Sequence, residues 1–125
     1  MTTLLLVDDQ PTIRQGLRMR LGLEPGLTVI GEAESGERAL ALAAELHPDV
    51  VVMDVEMQPM DGIAATEAMH SVCPDCAVVI LSLHDDSATR ARAAAAGAAA
   101  FVAKQEKDEV LLSAIRRAAS RKRLS

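Results

Sequence analysis

The chain has 125 residues, a length that suits one domain around one hydrophobic core. Half of the residues are hydrophobic and 25% are charged, which excludes an intrinsically disordered chain. No apolar run approaches the length of a membrane-spanning helix, so we expect no segment to span a bilayer. The N-terminus enters an apolar segment at Leu4 without a basic region or a cleavage site, so we expect no signal peptide and a cytoplasmic location.

Charge is distributed unevenly along the chain. The formal net charge is −5, yet the last ten residues hold five basic side chains and no acid. Residues 1–115 therefore carry 8 basic and 18 acidic side chains, a net charge of −10. A strongly acidic body disfavours direct binding of nucleic acid, and one Phe without Tyr or Trp gives no platform for base stacking. We divide the chain into a domain over residues 1–120 and a basic tail over 121–125, which is the solvated end of a helix or the start of a linker.

Short apolar runs alternate with segments of helical periodicity. The predicted strands are Leu4–Val7, Leu27–Ile30, Val50–Met53, Ala77–Leu81 and Phe101–Ala103. Most of these runs are continuous, as expected for parallel strands that are covered by helices on both faces. Five strands that alternate with five helices predict an α/β fold with a parallel sheet. Ligands of such sheets bind at the carboxyl ends of the strands.

Capping residues and apolar spacing predict the five helices. The boundary residues are Pro11, Ser35, His47-Pro48, Asp61, Asp86 or Ser87, Gly97 and Lys107-Asp108. The third helix is expected to run to about Val72. The side chains predicted to face the sheet are Ile13, Leu17 and Leu21 in the first helix, Ala39, Leu40, Ala43 and Leu46 in the second, and Val110, Leu111, Ala114, Ile115 and Ala118 in the fifth.

Polar side chains follow four of the predicted strands. Asp8 and Asp9 follow the first strand, Asp54 the third, Ser82 the fourth and Lys104 the fifth. Neither a GxGxxG nor a GxxxxGK[ST] loop occurs, which disfavours a nucleotide site. Three carboxylates and one ammonium group sum to −2, and crowded carboxylates have raised pKa values unless a cation neutralises them. Oxygen ligands of this kind favour Mg²⁺, which retains water and shares its coordination with phosphoryl groups.

This chemistry assigns a role to three of the residues. A carboxylate beside a metal ion can accept a phosphoryl group as an acyl phosphate, and Asp54 is the natural nucleophile. Lys104 would place a positive charge on the phosphoryl oxygens, and Ser82 would donate a hydroxyl hydrogen bond. Each residue alone is equally compatible with a turn, a helix cap or a solvated strand end. Their joint position at the strand ends of one sheet favours a functional site.

Five motifs in a fixed order point to a family. They are Leu6-Val7-Asp8-Asp9, then Asp54 followed by Met57-Gln58-Pro59-Met60-Asp61-Gly62, then Leu81-Ser82, Gly97-Ala98 and Phe101-Val102-Ala103-Lys104. With these motifs the chain resembles, over essentially its whole length, the receiver domain of two-component response regulators. The resemblance implies a flavodoxin-like, doubly wound (βα)5 sheet with strand order 2-1-3-4-5. It also implies a phosphorelay in which Asp54 accepts the phosphoryl group from a phosphohistidine of a sensor histidine kinase.

The resemblance further implies a ligand set and a switch. Asp9, Asp54 and the backbone carbonyl of Glu56 would bind Mg²⁺, and Asp8 would contact it mainly through water. Ser82 would swing toward the bound phosphoryl group, and Phe101 would move inward behind it. The face formed by the fourth helix, the fifth strand and the fifth helix would report this change, usually through altered self-association, so we expect a homodimer on phosphorylation.

Departures from the common pattern indicate a subfamily. Gln105-Glu106 replaces the proline that many receivers have after the lysine, and the segment 81–86 resembles the NarL/LuxR-like transcriptional regulators. Leu83 stands where many receivers have Ala or Gly, and we expect it to shield the site and slow the reaction with small phosphodonors. Glu56 and His84 occupy the two positions that, in the family, tune hydrolysis of the acyl phosphate.

A second group of reactive side chains is a candidate redox or metal site. His70, Cys73 and Cys76 form an HxxCxxC pattern that contains a CxxC. A redox pair is expected just ahead of a helix, whereas this one follows a helix, and a zinc site would need a fourth ligand. We therefore expect a proline turn with two incidental thiols, and metal binding at these residues stays open.

The leading hypothesis is a phosphorylation-controlled signalling switch that catalyses only its own phosphorylation and dephosphorylation. We expect it to control a C-terminal helix-turn-helix domain that is not among these residues, and to meet nucleic acid only through that domain. One alternative is a stand-alone receiver that acts by protein–protein contact. A less favoured alternative is a Mg²⁺-dependent phosphohydrolase with Asp54 as nucleophile, for which Glu56 only loosely provides the second acid.

Overall fold

A computed structural model of the protein describes the backbone of residues 1–124 and the side chains of residues 1–121. Strands and helices alternate throughout, as predicted. The strands are β1 (Thr2–Val7), β2 (Leu27–Ala33), β3 (Val50–Asp54), β4 (Ala77–Ser82) and β5 (Ala100–Ala103). The helices are α1 (Pro11–Gly22), α2 (Gly36–Leu46), α3 (Gly62–Val72), α4 (Ser87–Ala95) and α5 (Asp108–Leu124).

The five strands form one parallel sheet in the order β2-β1-β3-β4-β5. This confirms the predicted flavodoxin-like topology. The chain order reverses between β1 and β3, and a crevice forms outside the carboxyl ends of the strands at such a reversal. The predicted site residues that end β1 and β3 therefore belong to neighbouring strands.

Alternate side chains of the strands supply two separate apolar layers. On one face, Leu5, Val7, Val51, Met53, Val78 and Ile80 pack with α2, α3 and α4. On the other face, Leu4, Leu6, Val50, Val52, Val79 and Leu81 pack with α1 and α5. Because both faces are covered, the strands are apolar at nearly every position, which is why they appear as continuous runs in the sequence.

Three of the predicted N-caps make the expected hydrogen bonds. The side chains of Ser35, Asp61 and Asp86 accept from the backbone N–H groups three residues later, at 3.1, 2.8 and 2.7 Å. These bonds satisfy N–H groups that the first turn of a helix leaves unpaired. Gly97 follows α4 with a φ of +94°, a left-handed conformation that favours glycine at a helix end.

Two side chains that were predicted to face inward are exposed. Ile13 is 40% exposed and Val110 is 41% exposed, whereas Leu17, Leu21, Leu111, Ile115 and Ala118 are buried as predicted. Val110 lines an open groove beside β5, which is the edge strand of the sheet. Ile13 lies in the first turn of α1, in a cleft that also contains Leu83. Both residues lie in the first turn of their helix.

Helix α5 continues through residue 124, so the backbone of most of the basic tail is helical. Ser125 lies outside the described residues, and the assignment of residues 121–125 to a linker stays a prediction. Among the helices that the structure describes, none combines the length and the apolar character needed to cross a membrane.

Gly62 determines how closely α3 approaches the end of β3. A Cβ at this residue would lie 2.0 Å from the carbonyl oxygen of Asp54, whereas a Cβ on Gly16 in α1 would meet nothing within 4 Å. We expect Gly62→Ala to lower the free energy of unfolding by about 3 kcal/mol or more, because backbone must shift. Gly16→Ala should raise it by about 0.5–1 kcal/mol, because Ala favours a helix interior. Urea unfolding of both variants tests this pair, and equal effects would contradict it.

Candidate functional site

Three carboxylates converge at the carboxyl ends of β1 and β3. Asp8 and Asp54 are almost fully buried, at 1% and 2% exposure, while the neighbouring Asp9 is exposed. One oxygen from each of the three residues lies within 4.8 Å of the others. The adjacent pairing of β1 and β3 brings Asp54 to Asp8 and Asp9, which lie 46 and 45 residues before it in sequence. The predicted acidic cluster is therefore present.

The two oxygens of Asp8 have different surroundings. Oδ1 accepts a hydrogen bond of 2.9 Å from the backbone N–H of Gln10. Oδ2 is buried and, among the described residues, has no hydrogen-bond partner. Its nearest cation is Lys104 Nζ at 3.7 Å, which is too far for a hydrogen bond. A buried carboxylate oxygen without a donor is costly, and a bound cation would remove that cost. The donor set and this oxygen fit a hard divalent ion such as Mg²⁺.

Lys104 is the cation of the cluster. Its Nζ lies 2.6 Å from Oδ1 of Asp54 and 4.0 Å from Oε1 of Glu56. Its backbone N–H donates to the carbonyl oxygen of Ser82 at 2.8 Å, which fixes the end of β5 against β4. The predicted lysine therefore contacts the predicted nucleophile directly.

The pKa values of Asp54 and Lys104 record their mutual environment. Burial raises the pKa of Asp54 to about 6, with a further increase from the charge of Asp8, although the hydrogen bond from Lys104 opposes the shift. Burial alone would lower the pKa of Lys104, but its hydrogen bond and charge attraction to Asp54, with smaller contributions from Asp8 and Glu56, raise that pKa above the usual value. The cluster therefore holds more negative charge than Lys104 neutralises.

Ser82 takes part in a hydrogen-bond network with Glu56. The buried hydroxyl of Ser82 donates to Oε2 of Glu56 at 2.9 Å. Oε1 of Glu56 accepts from the backbone N–H of Leu83, also at 2.9 Å. The backbone N–H of His84 in turn donates to the Ser82 hydroxyl at 3.0 Å. Sequence reasoning placed Glu56 and Ser82 at this site but did not predict that they contact each other.

Leu83 and His84 border different openings beside the cluster. Leu83 is 61% exposed and lies, with Ile13 and Lys104, along a cleft of about 370 Å³. His84 lies with Asp9 and Glu56 along another cleft, of about 420 Å³. The tuning and shielding roles of Leu83 and His84 stay predictions.

Phe101 has a partner that sequence reasoning missed. The guanidinium carbon of Arg90 in α4 lies 4.6 Å from the centre of the half-buried Phe101 ring, a cation–π geometry. Nε of Arg90 also lies 2.5 Å from Oδ1 of Asp85, in the loop between β4 and α4. The spacing of Asp85 and Arg90 around a helix start is a local signal for the ion pair. The contact with Phe101 depends on tertiary structure.

The HxxCxxC residues do not form a metal site. His70 Nε2 lies 3.1 Å from the carbonyl oxygen of Ala96, and Cys73 and Cys76 form a disulfide across the turn before β4. The expectation of two incidental thiols was therefore wrong, because the turn brings their Cα atoms to 5.4 Å. In the described part of the chain, the only place where three His, Cys, Asp or Glu side chains lie close enough to hold a metal is the aspartate cluster.

Comparisons with known proteins agree with this geometry. The family model of the response regulator receiver domain matches residues 4–116 of the sequence. The transcriptional regulatory protein YxjL of Bacillus subtilis is 39% identical over 114 residues, which are 91% of this chain and 52% of that protein. The nitrate/nitrite response regulator protein NarL of Escherichia coli is 31% identical over 94% of this chain and 55% of its own length.

A solved structure gives the same result. The crystal structure of a LuxR-family two-component response regulator from Aurantimonas sp. superposes with a TM-score of 0.92 and 32% identity, covering 96% of this chain and 86% of that chain. The chain spans about half the length of the curated relatives it matches. The strand order, the aspartate cluster and these matches lead to one conclusion: the chain belongs to the response regulator receiver domain family, the signalling domain of two-component systems.

Proposed function

We propose that Asp54 accepts a phosphoryl group from a phosphohistidine of a sensor histidine kinase, and that the change reaches the surface formed by α4, β5 and α5. The observation that carries this proposal is the buried Asp54 carboxylate, 2.6 Å from Lys104 and beside an Asp8 oxygen without a hydrogen-bond partner in the described residues. The domain acts as a cytoplasmic switch and catalyses only its own phosphorylation and dephosphorylation.

Contacts of the Asp54 carboxylate indicate which oxygen attacks. Within the described residues its polar contacts, from Lys104 Nζ at 2.6 Å and the Glu56 N–H at 3.3 Å, both fall on Oδ1. We therefore assign the attack to Oδ2. Oδ2 forms the new P–O bond, the P–N bond to the kinase histidine breaks, and the histidine nitrogen keeps the electron pair and takes up a proton. Lys104 would then balance charge on the phosphoryl oxygens, and Ser82, after reorientation, would donate a hydrogen bond to one of them.

Asp9 and Asp54, with Asp8 mainly through water, would hold Mg²⁺, together with the backbone carbonyl of Glu56. When bound, such an ion neutralises charge on the carboxylates and on the phosphoryl oxygens. The chain's own contribution is to bury Asp8 and Asp54 and to fix Asp8 Oδ1 through the N–H of Gln10.

A route to the output surface runs through the loop between β4 and α4. Movement of Ser82 would displace the backbone of His84, whose N–H it binds, and then Asp85, which pairs with Arg90. Release of Arg90 would free Phe101 to move inward. Phe101 borders a groove of about 840 Å³ between β5 and α5, which we propose as the surface that changes self-association to a homodimer.

A C-terminal DNA-binding domain is the output that we favour. Relatives of about twice this length are described as transcriptional regulatory or response regulator proteins, and they support this choice over a stand-alone receiver. The phosphohydrolase alternative is disfavoured because both oxygens of Glu56 already accept hydrogen bonds from β4 and the following residue.

Phosphorylation can be tested with a small phosphodonor in Mg²⁺. We expect wild type to gain one phosphoryl group, as read by intact mass, and to shift in oligomer size on gel filtration. Asp54→Asn should gain none, Asp9→Asn should react at least about tenfold more slowly because a ligand is lost, and the distant, exposed Asp75→Asn should react like wild type. Modification of Asp54→Asn would overturn the assignment of the phosphoacceptor.

The raised pKa of Asp54 predicts a pH-dependent effect on stability. The pKa of about 6 in the folded protein exceeds the usual value of 3.8 for an aspartate. Above pH 6 the ionised carboxylate therefore destabilises the fold by its full amount, and this destabilisation decreases as the pH falls from 6 toward 3.8. In a metal-free buffer we expect the stability of Asp54→Asn relative to wild type to be greater at pH 7.5 than at pH 5 by about 1 kcal/mol. Urea unfolding at both pH values measures this difference. A difference that is constant, or that grows toward acid, would contradict the prediction.

The contact between Arg90 and Phe101 predicts that the unphosphorylated domain keeps Phe101 in its outward position. We expect Arg90→Gln to raise the population with Phe101 inward about fivefold, because about 1 kcal/mol of cation–π and ion-pair energy is lost. Phe101 is the single Phe and the chain has no Tyr or Trp, so its ring proton resonances can be followed directly. Arg92→Gln is the matched control, since Arg92 pairs with Asp61 instead. Equal ring shifts in the two variants would rule out the role of Arg90.

A further inference from the structure

The carboxylate of Glu56 is fully engaged with groups around the phosphoacceptor. Oε2 accepts from the Ser82 hydroxyl and Oε1 from the Leu83 backbone N–H, each at 2.9 Å, while Lys104 Nζ lies 4.0 Å from Oε1. The Glu56 side chain is 27% exposed, so it has room to leave. Its backbone is held separately, because its N–H donates to Asp54 Oδ1 at 3.3 Å.

Two of these groups are the ones that a phosphoryl group on Asp54 would need. A serine hydroxyl has a single hydrogen to donate, so Ser82 cannot donate to Glu56 and to a phosphoryl oxygen at the same time. Lys104 contacts Asp54 directly at 2.6 Å and lies 4.0 Å from Glu56, near enough for charge attraction but too far for a hydrogen bond. The carboxylate of Glu56 is therefore an anion that already occupies the Ser82 hydrogen bond a phosphoryl group would take.

We propose that Glu56 is a positioning residue that competes with the phosphoryl group for Ser82 and so holds the unphosphorylated arrangement of the domain. This inference rests on the proposed function of Asp54. Phosphorylation must displace the Glu56 carboxylate, because a phosphoryl dianion and a carboxylate repel each other at short distance. The displaced side chain releases Ser82 and the Leu83 N–H together.

The same contact sets where the conformational change begins. Glu56 follows β3, whereas Ser82 and Leu83 lie at the end of β4, so the two hydrogen bonds tie the adjacent strand ends together. His84 is included, since its N–H donates to the Ser82 hydroxyl. Loss of the Glu56 contact therefore frees the first residues of the loop that leads to α4. The unphosphorylated state is favoured by a specific interaction of this chain, and its removal lowers the cost of activation.

Beryllofluoride with Mg²⁺, an unreactive mimic of the phosphoryl group, provides the test on the whole chain. We expect Glu56→Ala to bind it about tenfold more tightly than wild type, which is the size of a charged hydrogen bond. Glu56→Gln loses the charge but keeps an acceptor oxygen, so it should bind more tightly than wild type by a smaller factor. Glu106→Gln, which removes an exposed acid from the β5–α5 loop, controls for net charge and should bind as wild type does. Glu56→Gln retains the volume of the side chain and guards against misfolding of the alanine variant.

Two further measurements separate competition from a structural role. In the absence of beryllofluoride, the Leu83 backbone amide resonance of both Glu56 variants should move toward its position in the beryllofluoride-bound wild type. In a Ser82→Ala background, Glu56→Ala should change the affinity by less than about threefold, because the contested hydroxyl is absent.

Equal or weaker binding by both Glu56 variants, with an unmoved Leu83 amide, would overturn this inference while leaving the proposed function intact. An undiminished effect of Glu56→Ala in the Ser82→Ala background would also overturn it. Absence of beryllofluoride binding by wild type and all variants would overturn the proposed function itself, and this inference with it.

Discussion

The structure depends on the burial of two carboxylates beside each other, next to the ammonium group of Lys104. Asp8 and Asp54 are withdrawn from water at the ends of neighbouring strands, and Lys104 contacts Asp54 but stays 3.7 Å from Asp8. Desolvation and the charge of Asp8 destabilise the ionised carboxylate of Asp54, as its raised pKa records. The fold therefore maintains a site with excess negative charge, where binding of a cation is favourable.

The remainder of the fold supplies the rigidity that this arrangement needs. Two apolar layers cover the sheet, so the strand ends are fixed in relation to one another. Gly62 allows the first turn of α3 to lie directly against the Asp54 carbonyl, where any side chain would collide. A buried charge cluster held by close packing has little freedom to relax, so the proposed route from Asp54 leads through the exposed loop after β4.

That loop links the site to the surface by polar contacts rather than by the core. Glu56 engages Ser82 and Leu83, and Arg90 joins Asp85 to the ring of Phe101. The two groups of contacts lie on either side of His84, which binds the Ser82 hydroxyl. Hydrogen bonds and exposed ion pairs are worth little individually, so phosphorylation of Asp54, as proposed, would supply enough free energy to rearrange this route. A receiver domain needs such a marginal balance if its two states are to interconvert.

Local chemistry in the sequence determined the order of strands and helices, the caps at Ser35, Asp61 and Asp86, and the polar ends of the strands, since periodicity and capping act over a few residues. The family motifs supplied the strand order. Tertiary structure decided which side chains meet: the hydrogen bonds of Glu56 to Ser82 and Leu83, the position of Arg90 over Phe101, and the exposure of Ile13 and Val110. Those contacts join residues on different elements, and their geometry depends on how the helices pack across the sheet and where the sheet ends. The sequence therefore determines which charged residues end the strands, whereas packing determines which side chains they contact.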